Sequence, residues 1–416
     1  MKPRLRNIIY FVASLLIVAL LSSAVTLWIS KAKRKNEVVL SAEQYAELAE
    51  SYSLTELANL IEENSYYDVA DREKLLSAAA NGMLGALGDD YAVYYTNEEY
   101  ISYLETTNGE YSGVGILIGQ PDDRGVPVLN AYEGNPAALA GVQTGDLITH
   151  IDGDPTAGMT LDEVSFALSG EAGSVVSFTI IRTYESGGAE VLEIPVTLGT
   201  VNIKRVHHAL YNQRTGYIRI DMFTGNCVTE FEEAVRDLKD RGMKSLVLDL
   251  RNNPGGSLNA VVSIADIILG KCDIVSIRGK GETVGEVYTS DAKKIDVPIA
   301  VLVNENSASA SEILSAAIQE TGAGIVVGMP TYGKGIVQTT MQLSSNQGWV
   351  KITTDAYFTS SGRSIHGIGV QPDIEIDLDE DLKGLTIEQI SENHQDRDAQ
   401  LWAALDYVRE KALQAS

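Results

Sequence analysis

The 416-residue chain is poor in the residues that build metal and disulfide frameworks. Its two cysteines, Cys227 and Cys272, cannot make a disulfide framework or a four-ligand zinc site. Five histidines, at positions 150, 207, 208, 366 and 394, include no HExxH pair, which excludes a helical zinc-protease site. Basic residues are scarce beyond the N-terminus. The first 35 residues hold seven Lys/Arg and no Asp/Glu, so with −25 for the whole chain, residues 36–416 net −32. So acidic a body repels a phosphate backbone, and no nucleic acid is expected as a partner. Ten prolines against 37 glycines, with 44% hydrophobic and 21% charged residues, suit a mixed α/β chain with many tight turns. That composition excludes wholesale disorder and a collagen-like repeat.

One long uncharged run is present. Ile8–Ile29 is 22 residues without a charge, flanked by Lys2, Arg4 and Arg6 before and by Lys31, Lys33, Arg34 and Lys35 after. About 20 apolar residues span a bilayer, so an uncleaved N-terminal transmembrane helix is expected. The apolar core of a cleaved signal peptide is shorter, about 7–15 residues. Three basic residues against four give no orientation by charge alone.

The remainder divides by texture. Residues 36–106 read as a helical segment, with helices over 41–64 and 71–87. Tyr91, Tyr94 and Tyr95 cluster near a turn and read as packing residues. Residues 107–200 form a β-rich module: short apolar runs over 115–118, 126–131, 147–151, 175–181 and 191–196, with two short helices over 136–140 and 161–169. No Pro/Ser-rich linker flanks it, so it is expected to be inserted tightly. Arg182, ending one of its strands, could pair with a carboxylate on the body of the protein or within the module. From 201 to 380 the rhythm is strand–helix–strand, with apolar strands over 217–220, 245–250, 299–303 and 325–328. Helices lie between them and a hairpin runs over 335–358. Short, fully apolar strands alternating with helices predict a helix-flanked sheet covered on both faces. Residues 381–416 are an acidic and helical tail.

Three loops carry candidate chemistry. The stretch Asn304-Glu305-Asn306-Ser307-Ala308-Ser309-Ala310-Ser311-Glu312 follows an apolar strand and opens a helix. Such an elbow exposes one side chain at the sheet edge, and Ser309 is placed at the first helical position. Ser309 with Glu312 also reads as a capping box. Next, Gly328–Gly335 nearly matches G-x-x-x-x-G-K-[ST]. Gly335 stands where a hydroxyl should be, and a strand-like run follows instead of a helix, so an NTPase loop is excluded. Lys334 remains in a glycine-lined turn, on one strand face with Gln338, where partial desolvation would let it act as a base. Finally, Asn253-Pro254-Gly255-Gly256 lies past a strand's carboxyl end, where backbone amides can approach a ligand. An elbow Ser, a deprotonatable Lys and a Gly-Gly amide pair form a set, because a Ser–Lys dyad is an attested nucleophilic arrangement without histidine.

The same residues resemble a family. Leu248–Gly256 (LDLRNNPGG), Asn304–Ile313 (NENSASASEI), Tyr332–Gln338 (YGKGIVQ) and Gly362–Asp373 (GRSIHGIGVQPD) resemble the carboxyl-terminal processing proteases, Ser/Lys peptidases with an inserted PDZ domain. Leu87–Thr96 (LGDDYAVYYT) and Asn135–Asp152 (NPAALAGVQTGDLITHID) fit too, as do the spacings of 25 from Ser309 to Lys334 and 4 from Lys334 to Gln338. The resemblance covers roughly residues 41–410 and implies roles residue by residue. Ser309 matches the nucleophile, Lys334 the general base and Gln338 the residue that orients it. The amides of Ala310 and of Gly255 or Gly256 match the oxyanion hole. Residues 107–200 look like a PDZ module, with Tyr111, Ser112, Gly113, Val114, Gly115 and Ile116 as its carboxylate-binding loop. The implied partners are protein or peptide substrates with free C-termini and the membrane through residues 8–29, with a homo-oligomer left open. No metal or other cofactor is implied, and the catalytic part is expected outside the cytoplasm. The rival from another class is a catalytically silent PDZ scaffold.

Overall fold

The computed structural model describes residues 15–26, 41–67, 72–108, 110–184, 187–212, 214–281, 285–291, 293–344 and 347–414. Two units are distinct, residues 1–83 and 84–416. In the first, residues 15–26 are helical, and the rest of the expected transmembrane run over 8–29 lies outside the described residues. Among the described residues, no helix is long and apolar enough to cross a membrane. The helices Ala42–Asn64 and Arg72–Gly85 follow, tied by Arg72 to Asn59 at 2.8 Å and to Glu62 at 3.1 Å.

The larger unit is built on a six-stranded sheet. Its spatial order is Val206–Tyr211, Thr215–Ile220, Ser245–Asp249, Ile299–Val303, Gly324–Gly328 and Ile374–Glu375. The first pair is antiparallel and the remaining pairs are parallel. Every residue of Ser245–Asp249 and Ile299–Val303 is buried, as continuous apolar runs in a two-faced sheet require. One face packs on the helices Cys227–Asp240, Leu258–Ile268 and Ala310–Glu320. The other is covered by the C-terminal helix Ala399–Gln414 through Leu401, Ala404, Leu405 and Val408. A second, antiparallel sheet joins Val93–Tyr95, Trp349–Thr359, Cys272–Gly279 and Glu286–Ser290, with Ile336–Gln342 also paired to Trp349–Thr359. A strand, not a helix, therefore follows the Gly333-Lys334-Gly335 turn.

The inserted module is a five-stranded run of Ile116–Ile118, Val126–Ala131, Leu147–Ile151, Val175–Thr183 and Ala189–Thr197, with the helices Pro136–Ala140 and Leu161–Ala167. Its own core includes Val128, Ile148, Phe178, Ile180 and Val196. The ends of the insertion are clamped together by a two-stranded ribbon, Glu110–Gly113 against Gly199–Asn202. Buried Asn135 reinforces the clamp: it donates to the Asn202 carbonyl at 2.9 Å and accepts from its amide at 2.7 Å. Arg182 pairs within the module, with Asp146 at 2.7 Å and with the Gly141 carbonyl at 2.7 Å. It does not reach the body of the protein.

The C-terminal helix is fixed by charge as well as by packing. The Arg251 guanidinium is 1% exposed and sits between Asp249 at 2.6 Å and Asp398 at 2.9 Å. Asp398 Oδ1 also accepts from the Leu401 amide at 3.0 Å, in the helix's first turn. Removing one partner of a buried ionic cluster leaves an undercompensated charge. Asp398→Ala is expected to lower stability by about 3 kcal/mol, read as the urea unfolding midpoint at constant slope. A loss below about 1 kcal/mol would show that water replaces the carboxylate freely.

Candidate active site

The Ile299–Val303 strand ends in a turn that is held from below. Asn304 N–H donates to Ser307 Oγ at 2.9 Å, and Ser307 Oγ donates to the Leu250 carbonyl at 2.8 Å. Ser311 Oγ donates to the Asn253 carbonyl at 2.9 Å. Ser307 and Ser311 are fully buried. Ser309, between them, is half-buried and lines a cavity of about 330 Å3. The helix begins at Ala310, so Ser309 stands one residue before the position expected from sequence, with φ 55° and ψ −113°. A serine at positive φ is strained by roughly 1–3 kcal/mol, as the residue at a strand-to-helix elbow is.

Glu312 holds that elbow. Its buried carboxylate accepts from the Ser309 amide at 2.8 Å, the Lys334 amide at 2.9 Å, the Gly333 amide at 2.7 Å and Thr331 Oγ1 at 2.6 Å. The pairing has capping-box form, yet the Ser309 hydroxyl makes no cap hydrogen bond of its own. Glu312 thus links the serine elbow to the lysine turn, and the hydroxyl is left toward the cavity.

Lys334 lines the same cavity, with its ammonium 4.2 Å from the Tyr91 ring centroid. Burial holds its pKa below the ordinary lysine value, and the Lys351 charge adds to the effect against the pull of Asp89 and Glu312. Tyr91 itself is pushed up to about 12, by burial first and then by its hydrogen bond with Tyr332. Gln338 also lines the cavity, although the hairpin carries a bulge at Val337/Gln338. Its amide donates to Thr353 Oγ1 at 3.1 Å, and Thr353 Oγ1 and N–H donate in turn to Asp89 at 3.1 and 2.9 Å. Asp89 also accepts from the Tyr91 amide at 3.0 Å. Burial alone would raise the Asp89 pKa, but these hydrogen bonds outweigh it and lower it. Among the described residues, no hydrogen bond joins Lys334 Nζ to Ser309 Oγ or to Gln338. Asp89, Tyr91 and Thr353 had no catalytic reading in the sequence. The Asp-Asp-Tyr run at 89–91 was the one available signal.

The two glycines differ. The Gly255 amide already donates to Asn253 Oδ1 at 2.9 Å, while its Cα faces the elbow: a side chain there would lie 2.8 Å from Ser309 Cβ and 2.9 Å from the Ala310 nitrogen. Gly256 lines the cavity beside Ser309 and Ala310. Its φ is 138°, and a Cβ would lie 2.2 Å from the Phe223 carbonyl oxygen, so only glycine fits. In the module, Gly113, Val114 and Gly115 are buried, and a Cβ on Gly115 would lie 2.5 Å from that of Asn135. Ser112 Oγ donates to the Gly170 carbonyl at 2.8 Å, Tyr111 pairs with Val201 in the ribbon, and Ile116 opens the strand Ile116–Ile118. The module loop therefore forms one continuous stretch, separate from the serine–lysine cavity.

Comparison with known proteins matches the core and the module to two families. Residues 214–376 match peptidase family S41, and residues 128–182 match the PDZ domain. A carboxy-terminal-processing protease of Bartonella bacilliformis is 34% identical over 393 residues, covering 92% of this chain and 86% of the relative. A probable CtpA-like serine protease of Staphylococcus haemolyticus is 35% identical over 318 residues, covering 75% of this chain and 62% of the relative. Among solved structures, the photosystem II D1 C-terminal processing protease is 28% identical, with a TM-score of 0.48 over 81% of this chain and 94% of that one. With a helix-flanked α/β core, an inserted PDZ domain and a relative matched over most of both chains at 34% identity, the chain belongs to peptidase family S41, the carboxy-terminal-processing serine proteases.

Proposed function

We propose that the chain is a membrane-anchored, extracytoplasmic serine endopeptidase whose Ser309–Lys334 dyad cuts proteins engaged through their C-termini by the PDZ domain. The observation that carries the reading is the cavity itself. A strained elbow serine, a half-buried lysine with a depressed pKa and the glycine backbone at Gly256 all line it. Neutral Lys334 takes the proton from Ser309 Oγ as the oxygen attacks the peptide carbonyl. The oxyanion is held by the amides of Ala310 and Gly256, because the Gly255 amide is engaged by Asn253. Lys334 then protonates the leaving amine and activates the water that hydrolyses the acyl-enzyme. To do this its Nζ leaves the Tyr91 face and swings to Ser309, with Gln338 releasing Thr353 to orient it. Such contacts often tighten only when substrate binds.

The strand Ile116–Ile118 is at the edge of the module's five-stranded run, which supports addition of a substrate strand beside it. The glycine-rich loop over 111–116 then meets the terminal carboxylate with backbone amides. The domain division at 36–106, 107–200, 201–380 and 381–416 is proposed with it, with Val93–Tyr95 of the first segment paired to the strand Trp349–Thr359. Anchoring through residues 8–29 rests on the uncharged run of 22 residues and its basic flanks. Exposed Leu54, Leu57 and Leu60 on the helix Ala42–Asn64 support a homo-oligomer.

Ser309→Ala is expected to abolish cleavage of a casein or peptide substrate while the chain stays folded. Ser307→Ala and Ser311→Ala should each cost about 1–2 kcal/mol of stability, for a lost buried hydrogen bond, and retain turnover. Equal inactivation by all three would make Ser309 a structural residue.

Only the free amine of Lys334 can accept a proton, so kcat should rise with pH and level off below the pH at which an ordinary lysine titrates. Lys334→Arg should be as inactive as Lys334→Ala, since a guanidinium does not deprotonate. Near-normal turnover in Lys334→Arg would assign the position a steric role.

Glu312→Gln keeps the size of the side chain but replaces one acceptor oxygen with a donor. Four donors then compete for one oxygen, and the elbow and lysine turn separate. A roughly hundredfold fall in kcat is expected from misplacement on the order of 1 Å, with circular dichroism unchanged. Full activity would show that the helix alone positions Ser309.

A further inference from the structure

The cavity holds a second lysine that the reaction does not use. Lys351 extends from the strand Trp349–Thr359 into the same lining as Ser309, Ala310, Lys334 and Gln338. Its ammonium donates to the Tyr95 hydroxyl at 2.9 Å and lies 4.7 Å from the Tyr103 ring centroid. These contacts hold the head group in place and use one of its three N–H donors. Among the described residues, neither Lys351 nor Lys334 makes an ion pair, and no Asp or Glu lines the cavity. That is unexpected in a chain with 57 acidic residues and 32 basic ones. Lys334 has to be neutral to act as a base. A fixed cation then remains in a partly apolar cavity formed also by Leu258, Ile313 and Ile336, with its counter-charge missing.

We propose that Lys351 is a specificity-determining residue of this site, receiving a carboxylate that the substrate carries close to the scissile bond. The inference rests on the reading of Ser309 and Lys334 as the reacting pair and adds the charge of the substrate to it. Lys351, Lys334 and Ser309 line one cavity of about 330 Å3, which places the carboxylate within a few residues of the bond that is cut. Tyr95 and Tyr103 keep the Lys351 head group aimed, so that a neutral residue at that position leaves the cation unpaired and a second cation is repelled. The carboxylate is an Asp or Glu side chain or the substrate's own C-terminus.

The test uses the full chain and a set of quenched peptides derived from one cleaved sequence. In the first arm Glu replaces Gln at each position flanking the cut, with amidated C-termini. In the second the neutral peptide is shortened residue by residue on the C-terminal side and made with either a free or an amidated terminus. At one position, kcat/KM for the carboxylate peptide should exceed that for its neutral partner about tenfold, the usual gain of a charge-assisted hydrogen bond. The arm in which this appears identifies the source. Lys351→Met should bring the ratio to about one, and Lys351→Arg should restore most of it. The proposal is overturned if the wild-type chain shows no carboxylate preference in either arm, a result that needs no variant to fold. It is overturned equally if the preference survives in Lys351→Met. Failure of the serine–lysine reading would show separately, as cleavage by Ser309→Ala, while the carboxylate ratio is read on the wild-type chain whichever nucleophile acts.

Discussion

The buried carboxylate of Glu312 is the interaction on which the geometry of the site depends. Four donors from the serine elbow and the lysine turn converge on its two oxygens. Ionised, it offers about four acceptor sites and no donor, so every partner is satisfied at once. Residues 309 and 334 come from different strand ends, and nothing in the parallel sheet fixes their separation to a fraction of an ångström. Glu312 does, by bonding both backbones. It also sustains the positive φ of Ser309, because a residue in that region persists only where its surroundings over-determine it. Capping the helix and joining the two loops are therefore one function of one side chain. The Tyr357 hydroxyl adds a further bond, to the Ser309 carbonyl at 3.2 Å.

Much of this was legible in the sequence, for a physical reason. Strands buried on both faces are continuous apolar runs, so Ser245–Asp249, Ile299–Val303 and Gly324–Gly328 are visible without context. In a parallel sheet the chemistry lies past their carboxyl ends, which is where Asn253–Gly256, Ser309 and Lys334 are found. Less regular parts were not legible. Cys272–Gly279 and Glu286–Ser290 lie in a sheet with half-exposed faces, and neither is a continuous apolar run. At Val337/Gln338 the hairpin register shifts, with Thr354 the extra residue on the partner strand, and no residue type announces it. Asp89 and Thr353 are 264 positions apart and meet only because Val93–Tyr95 pairs with Trp349–Thr359. Tyr91 read as packing, and it does pack, but what it packs against is the Lys334 ammonium.

The absence of a linker around the module has a structural counterpart. A ribbon of four residue pairs closes the insertion, and the Asn135 side chain bonds across to Asn202 on its return strand. The same Asn135 lies against Gly115 of the glycine-rich loop, at a distance that admits no side chain on that glycine. The loop and the entry point of the module are thus packed on one residue. Arg182, by contrast, completes the module from within, because its partner Asp146 is buried and would otherwise be a carboxylate without a cation. Rigidity at the junction comes from the amide pair and the ribbon, while the arginine stabilises the module itself.

The state of Lys334 is a balance whose terms come from different parts of the fold. Burial and Lys351 act against its charge, while Asp89, Glu312 and the Tyr91 face act for it. The terms that favour charge are the ones that could defeat a base, and each is blunted. The Glu312 oxygens already accept from four donors, and those of Asp89 from the Thr353 amide and hydroxyl and from the Tyr91 amide. Neither carboxylate lines the cavity, so neither offers the lysine a direct ion pair. A free carboxylate at either position would hold Lys334 as an ammonium, the form in which it could not serve the proposed reaction as a base. On the proposed reading of Lys334 as the base, an acidic chain has to keep its own carboxylates out of the cavity as well as bring the serine to it, and a negative charge carried in by substrate is met at Lys351.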